Sequence, residues 1–207
     1  MSVDIQKIDP YNLDQKIILL AVETLKKGGV IVYPTDTIYG LAADILNREA
    51  VSRIFKIKKV SKQKLLSFIF ADFSDIADWA HIPNNAYRIM RRVLPGKYTF
   101  ILPASSEVPR SLLHLQKRRT VGIRMPDSPV ARSLVKVLGR PMLSTSVPKG
   151  SDDFFTNPQE IADQFKYDLD LILDSGITPN IPSTVIDFSV KPPEVLRHGA
   201  GSIEELK

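Results

Sequence analysis

Three hydroxyls, a carboxylate and a glycine crowd residues 34–40, Pro34-Thr35-Asp36-Thr37-Ile38-Tyr39-Gly40. Such a loop can organise hydrogen bonds and charge around a polar guest, since each hydroxyl both donates and accepts and the carboxylate only accepts. A second chemical group lies far downstream. Arg124 ends the apolar run Val121-Gly122-Ile123, where an unpaired guanidinium would be costly, so it must meet a carboxylate, either of a ligand or of a structural partner such as Asp36. Basic residues also gather at Lys56, Lys58, Lys59, Lys62 and Lys64, at Arg88, Arg91 and Arg92, and at Lys117-Arg118-Arg119, within a formal net charge of +5. Each cluster alone reads as a solvated face, while the three together favour an anionic, phosphate-bearing partner. The chain has no cysteine and three scattered histidines, His81, His114 and His198. That excludes disulfides and thiolate metal sites and offers no zinc spacing, so a metal would arrive with a phosphate ligand.

The elements that must position these groups alternate. Val30 to Tyr33 has the β-branched composition of a buried strand, ended by Pro34, which lacks a ladder donor. The spacing predicts a helix over Leu13 to Lys27, capped by Asn12 and stopped at Gly28-Gly29, with Ile17, Leu20, Ala21 and Leu25 inward. A second helix from Asn47 to Lys58 buries Val51, Ile54 and Phe55, and Leu65 to Phe70 reads as a strand. A third follows Asn84, with Ala86, Ile89, Met90 and Val93 inward and the arginines outward. Strands are expected at Tyr98 to Leu102, Val121 to Met125, Met142 to Ser146, Leu169 to Leu173, Thr184 to Phe188 and Val195 to Arg197. Helices open at Ser128-Pro129, closing at Gly139, and at Asn157-Pro158. This alternation implies a layered α/β fold, and the length suits one domain over residues 1–207. No stretch approaches the roughly 20 apolar residues of a membrane span, and the N-terminus carries no apolar signal core. A cytoplasmic protein is expected.

The segment Pro34 to Leu41, following Gly-Gly-Val-Ile-Val-Tyr, resembles the signature of the YrdC-like family of threonylcarbamoyl-AMP synthases. Five further segments match in the family's order: 95–102 (Pro-Gly-Lys-Tyr-Thr-Phe-Ile-Leu), 121–126 (Val-Gly-Ile-Arg-Met-Pro), 141–146 (Pro-Met-Leu-Ser-Thr-Ser), 183–187 (Ser-Thr-Val-Ile-Asp) and 195–199 (Val-Leu-Arg-His-Gly). The pattern is most similar to the YciO branch. The resemblance implies a twisted, mixed parallel and antiparallel sheet with flanking helices around a large basic cavity. It also implies a synthase-like nucleotidyltransferase reaction: threonine and bicarbonate form a carbamate that attacks the α-phosphate of ATP, giving threonylcarbamoyl-AMP for tRNA modification and releasing pyrophosphate.

Such a reaction needs positioning and charge stabilisation more than a nucleophile and base pair, and no such pair is evident in the chain. On the family's pattern, Thr35, Tyr39, Arg124 and Ser183 take the threonine carbamate. Thr37, Lys58, Ser144, Ser146 and Arg197 take the nucleotide, with Lys58 also catalytic and Mg2+ carried by the ATP phosphates. Two positions depart from the pattern, because Val60 stands where the synthases have an arginine and Pro148 where they have an asparagine. Losing a fixed guanidinium fork weakens the stabilisation of charge migrating to pyrophosphate, so weak turnover is expected. His198, in place of the usual proline, receives no role. The alternative is a protein without synthase activity that binds double-stranded RNA, tRNA or rRNA through its basic clusters, by shape and phosphate charge. Convergence of Lys58, Arg124 and Arg197 in one concavity would favour the small-molecule site.

Overall fold

The computed structural model describes residues 3–58, 66–113, 119–147, 149 and 153–206. Ten strands form one sheet in the order β1-β8-β2-β3-β7-β4-β6-β5-β9-β10. They are β1 (Asp4–Lys7), β2 (Ile31–Tyr33), β3 (Gly40–Asp44), β4 (Ser67–Ile69), β5 (Tyr98–Pro103), β6 (Thr120–Arg124), β7 (Met142–Ser146), β8 (Leu171–Asp174), β9 (Thr184–Asp187) and β10 (Glu194–Arg197). The helices are α1 (Gln15–Lys26), α2 (Arg48–Lys58), α3 (Ile76–Trp79), α4 (Asn84–Val93), α5 (Arg110–Leu113), α6 (Pro129–Leu138) and α7 (Pro158–Phe165), followed by a 3-10 turn at Glu204–Leu206. Parallel pairs β1/β8, β2/β8, β4/β6 and β5/β9 mix with antiparallel pairs. The mixed sheet that the family resemblance implies is therefore present.

Local chemistry explains the helices. α6 begins at Ser128, whose hydroxyl accepts from the Ala131 N–H, continues with Pro129 in the first turn, and stops at Gly139, where φ is 75°. Asn47 caps α2 through its side-chain oxygen on the Ala50 N–H, and Asn157 caps α7 in the same way at Gln159. The cap of α1 is Asp14 rather than Asn12, because the Asp14 carboxylate takes the Lys16 N–H while the Asn12 N–H is turned back onto Asp9. Its buried stripe is accordingly Ile18, Ala21, Val22 and Leu25, and Leu20 is exposed. Asn84 is the first residue of α4 and Pro83 stands at its cap, with no side-chain cap bond.

Two apolar clusters cover the two faces of the sheet. Leu41, Phe68, Phe100, Ile123 and Leu143 face one side with residues of α2, α4 and α7. Tyr33, Ala42, Ile69 and Met142 face the other, with α1 and α6. Strand alternation then sends Ser144 and Ser146 to the side of Met142, Ser67 to that of Ile69, and Gly122 and Arg124 opposite Ile123. Gly40, Ala42, Ser67, Gly122, Ser144 and Ser146 thus form a floor of small residues on the α1/α6 side. A Cβ at Gly40 would lie 2.6 Å from the Tyr33 ring, and one at Gly122 would lie 3.0 Å from the Leu66 carbonyl oxygen. The shallow floor depends on those glycines.

Candidate functional site

Arg124 and the 34–39 loop meet at the end of this floor. A single nitrogen of Arg124, Nη2, donates to Asp36 Oδ1 at 2.8 Å, to Thr37 Oγ1 at 2.6 Å and to Thr35 Oγ1 at 3.1 Å. The ion pair is nearly sealed, with the Arg124 side chain 11% and the Asp36 side chain 7% exposed. Asp36 also accepts the Asp127 N–H through its other oxygen, and Ser128 donates to the Pro34 carbonyl at 3.1 Å. The loop is therefore fastened to the start of α6. Thr35 spends its proton on the Ile38 carbonyl at 2.6 Å and accepts the Thr37 N–H at 3.1 Å. Of the two carboxylates that could meet Arg124, Asp36 is present, yet it does not saturate the guanidinium. Among the described residues, Arg124 Nε is buried without a hydrogen-bond partner.

A second group approaches from β5, β9 and β10. Arg197 Nε donates to the Ser183 carbonyl at 3.0 Å and Nη2 to Ser183 Oγ at 3.2 Å. Ser183 Oγ also lies 2.8 Å from Thr99 Oγ1. Burial lowers the pKa of Arg197, and the positive charge of Arg124 lowers it further. Two guanidiniums thus share one field without a full set of counter-charges. Such an arrangement accepts anions.

The remaining candidates are dispersed. The Ser144 hydroxyl pairs with the buried Tyr33 hydroxyl at 2.8 Å, and burial pushes Tyr33 up to about 12. Ser146 ends β7 opposite Gly40. Lys58 donates to Thr145 Oγ1 at 2.6 Å, and alternation puts Thr145 on the face opposite Ser144 and Ser146. Lys58 therefore enters from the α2 side, so of the three cations expected to converge only Arg124 and Arg197 lie on the same face. The Tyr39 hydroxyl, expected to face a ligand, donates to the Gly176 carbonyl at 2.6 Å and accepts the Ser175 N–H at 3.1 Å. Both bonds tie it to the 175–176 turn. Val60, Pro148, Lys59, Lys62, Lys64, His114, Lys117 and Arg118 lie outside the described residues.

Beside Asp36 opens a cavity of about 740 Å³, walled on one side by residues 200–202, Glu204 and Glu205. Its charged lining is mixed, with Arg92 and Lys97 against Asp36, Asp127, Glu204 and Glu205. Tyr98 donates to Glu205 and to the Ser202 carbonyl, and Arg92 donates to the Glu205 carbonyl, which ties this wall to β5 and α4. Among the described residues no group of three or more His, Cys, Asp or Glu side chains is placed to hold a metal ion, and no helix is long and apolar enough to cross a membrane. Sequence reasoning passed over Thr99 and Tyr33. The signal for Thr99 was present, as the one hydroxyl between two aromatics in an otherwise apolar strand.

An open, twisted α/β sheet with a small-residue floor and paired arginines defines the class. The chain belongs to the Sua5/YciO/YrdC family, whose model, described as telomere recombination, matches residues 23–199. It is 41% identical over 198 residues to Escherichia coli YciO, a protein described as uncharacterized, covering 95% of this chain and 96% of that one. The crystal structure of E. coli YciO superposes with a TM-score of 0.94 over 99% of this chain and 100% of that chain, at 39% identity. The threonylcarbamoyl-AMP synthase of Pyrococcus abyssi is 33% identical over 192 residues, 92% of this chain and 56% of the synthase. The structure of P. abyssi Sua5 complexed with L-threonine gives a TM-score of 0.89 at 31% identity, covering 98% of this chain and 59% of that chain.

Proposed function

We propose that this chain binds L-threonine and ATP between Arg124 and Arg197 and, with bicarbonate, forms threonylcarbamoyl-AMP slowly. The observation that carries this reading is the buried, partnerless Nε of Arg124. A buried charged donor without an acceptor costs about 1–3 kcal/mol or more, and a ligand carboxylate would remove that cost. L-Threonine, the ligand in the P. abyssi Sua5 complex, carries such a carboxylate.

In this reading Arg124 and Ser183 hold the threonine carbamate and Thr35, its hydroxyl spent within the loop, orients Arg124, while Thr37, Ser144, Ser146 and Arg197 face the nucleotide. Tyr39 keeps the neighbouring turn in place, and Lys58 brings charge to the end of β7. The carbamate oxygen forms a bond to the α-phosphorus as the bond to pyrophosphate breaks. Mg2+ would enter on the ATP phosphates, where it screens their charge. The residues of the chain orient the two substrates and meet the charge that develops. With Val60 in the arginine position, the leaving pyrophosphate lacks one fixed donor fork, a loss on the order of a hundredfold in turnover.

Incubation with ATP, Mg2+ and bicarbonate should release pyrophosphate only when L-threonine is added, slowly in the parent and faster in Val60→Arg/Pro148→Asn. Pyrophosphate release indifferent to threonine in both proteins would reject the reading. The alternative of RNA binding finds less support in α4. Arg91 stacks 5.3 Å over the Phe73 ring and Arg92 is engaged with Glu205, so two of that helix's arginines are used on the protein's own surface.

A further inference from the structure

The Ser183 hydroxyl meets two partners inside the protein, Arg197 and Thr99. Arg197 has no lone pair and can only donate, so Ser183 Oγ accepts from its Nη2. The 2.8 Å bond between Ser183 and Thr99 can run either way on distance alone. Thr99 is 6% exposed, and among the described residues its hydroxyl makes that bond and no other. Were Ser183 the donor, the Thr99 proton would be left without an acceptor inside an apolar strand, an arrangement buried hydroxyls avoid. With Thr99 as donor, both lone pairs of Ser183 are filled from within the protein. Its own proton is then unspent.

We infer that Thr99 is a positioning residue: it donates to Ser183, which therefore directs its hydroxyl proton outward, beside Arg197, at an anionic oxygen of the guest. This deepens the proposed function and rests on it for the identity of that guest. The strand register puts Thr99 on the face of both arginines. The alternation of β5 places Thr99 opposite Phe100, on the same face as Arg124, and its neighbour across the sheet is Val185, which in turn pairs with Arg197. Thr99 stands between the two guanidiniums and orders the hydroxyl they share a field with. Tyr33 has the same relation to Ser144, a buried hydroxyl behind a serine of the floor.

The test compares the parent with Thr99→Val, which keeps the branched shape and removes the donor, and with Thr99→Ser, which restores it. Calorimetric titration with L-threonine, and separately with pyrophosphate as a plain anion, reads the effect. Thr99→Val should weaken binding of the probe that contacts Ser183 by about tenfold, a change worth about 1.4 kcal/mol, and Thr99→Ser should bind within about twofold of the parent. Adding Thr99→Val to Ser183→Ala should cost nothing further, because the two act on one proton. A merely structural role would instead add its loss to that of Ser183→Ala and lower the thermal midpoint of Thr99→Val. Equal binding by parent and Thr99→Val, or additive losses, overturns the inference. Parent binding of pyrophosphate but not L-threonine rejects the proposed function while the Thr99 comparison is still read on pyrophosphate. Binding of neither probe by a folded parent overturns both.

Discussion

At the level of single residues, the site is defined by which hydrogen-bonding groups are spent and which are not. Thr35, Asp36 and Thr37 all converge on one nitrogen of Arg124, leaving Nε bare. That convergence was legible in part, because a guanidinium in an apolar strand and a carboxylate in a hydroxyl-rich loop are each conspicuous. What the sequence could not reveal was the direction of each bond. Tyr39 looked as available as Thr37, and only its position over Ser175 and Gly176 shows where its hydroxyl goes. Buried hydroxyls also set a pH dependence. Tyr33 is pushed up to about 12 from 10.0, mainly by burial, and Tyr98 to about 12, by burial and then by the bond to Glu205 and its charge. Both groups hold their protons more tightly when folded, so their contribution is complete below pH 10 and declines as pH rises from 10 towards 12. Urea midpoints measured at intervals from pH 9 to 12 should fall across that window, and Tyr33→Phe should flatten the fall. A midpoint constant to pH 12 would contradict the assignment.

Elements carry these residues to the site, and their legibility followed their chemistry. α6 was readable to the residue, since Ser128, Pro129 and Gly139 each do at their positions what their side chains favour. β3 was not, because Gly40-Leu41-Ala42-Ala43-Asp44 lacks strand-forming side chains and is held between β2 and β7 by its ladder and its small size. β1 is likewise a polar edge whose pairing with β8 no local pattern announces. The join between β3 and the α6–β7 turn depends on a buried ion pair. Asp44 accepts from Arg140 Nε at 2.8 Å and from its Nη2, and also takes the Leu46 N–H at 3.0 Å. The Asp44 side chain is 4% exposed. Arg140→Ala would leave that carboxylate buried and half-satisfied, at a cost of about 3 kcal/mol, or roughly 6–12 °C in the thermal midpoint for a chain of this size. A shift under about 2 °C in a differential scan would mean that water replaces the guanidinium without penalty.

For the whole molecule, segments as distant as 34–39, 99, 124, 183 and 197 meet along one side of a ten-stranded sheet. Their order along the chain identified the family; the register of the strands decides which of them share a face. Lys58 illustrates the difference, since matching the family's lysine by position says nothing of its approach from the α2 side. Function turns on whether Arg124 accepts the carboxylate of a small amino acid. Titration of the protein with L-threonine and with L-threoninamide, identical except for the carboxylate, isolates that one group. Saturable binding of L-threonine is expected, with at least a tenfold weaker response to the amide, about 1.4 kcal/mol. Equal affinity for the two compounds, or no binding of either, would mean that Arg124 does not serve as a carboxylate site.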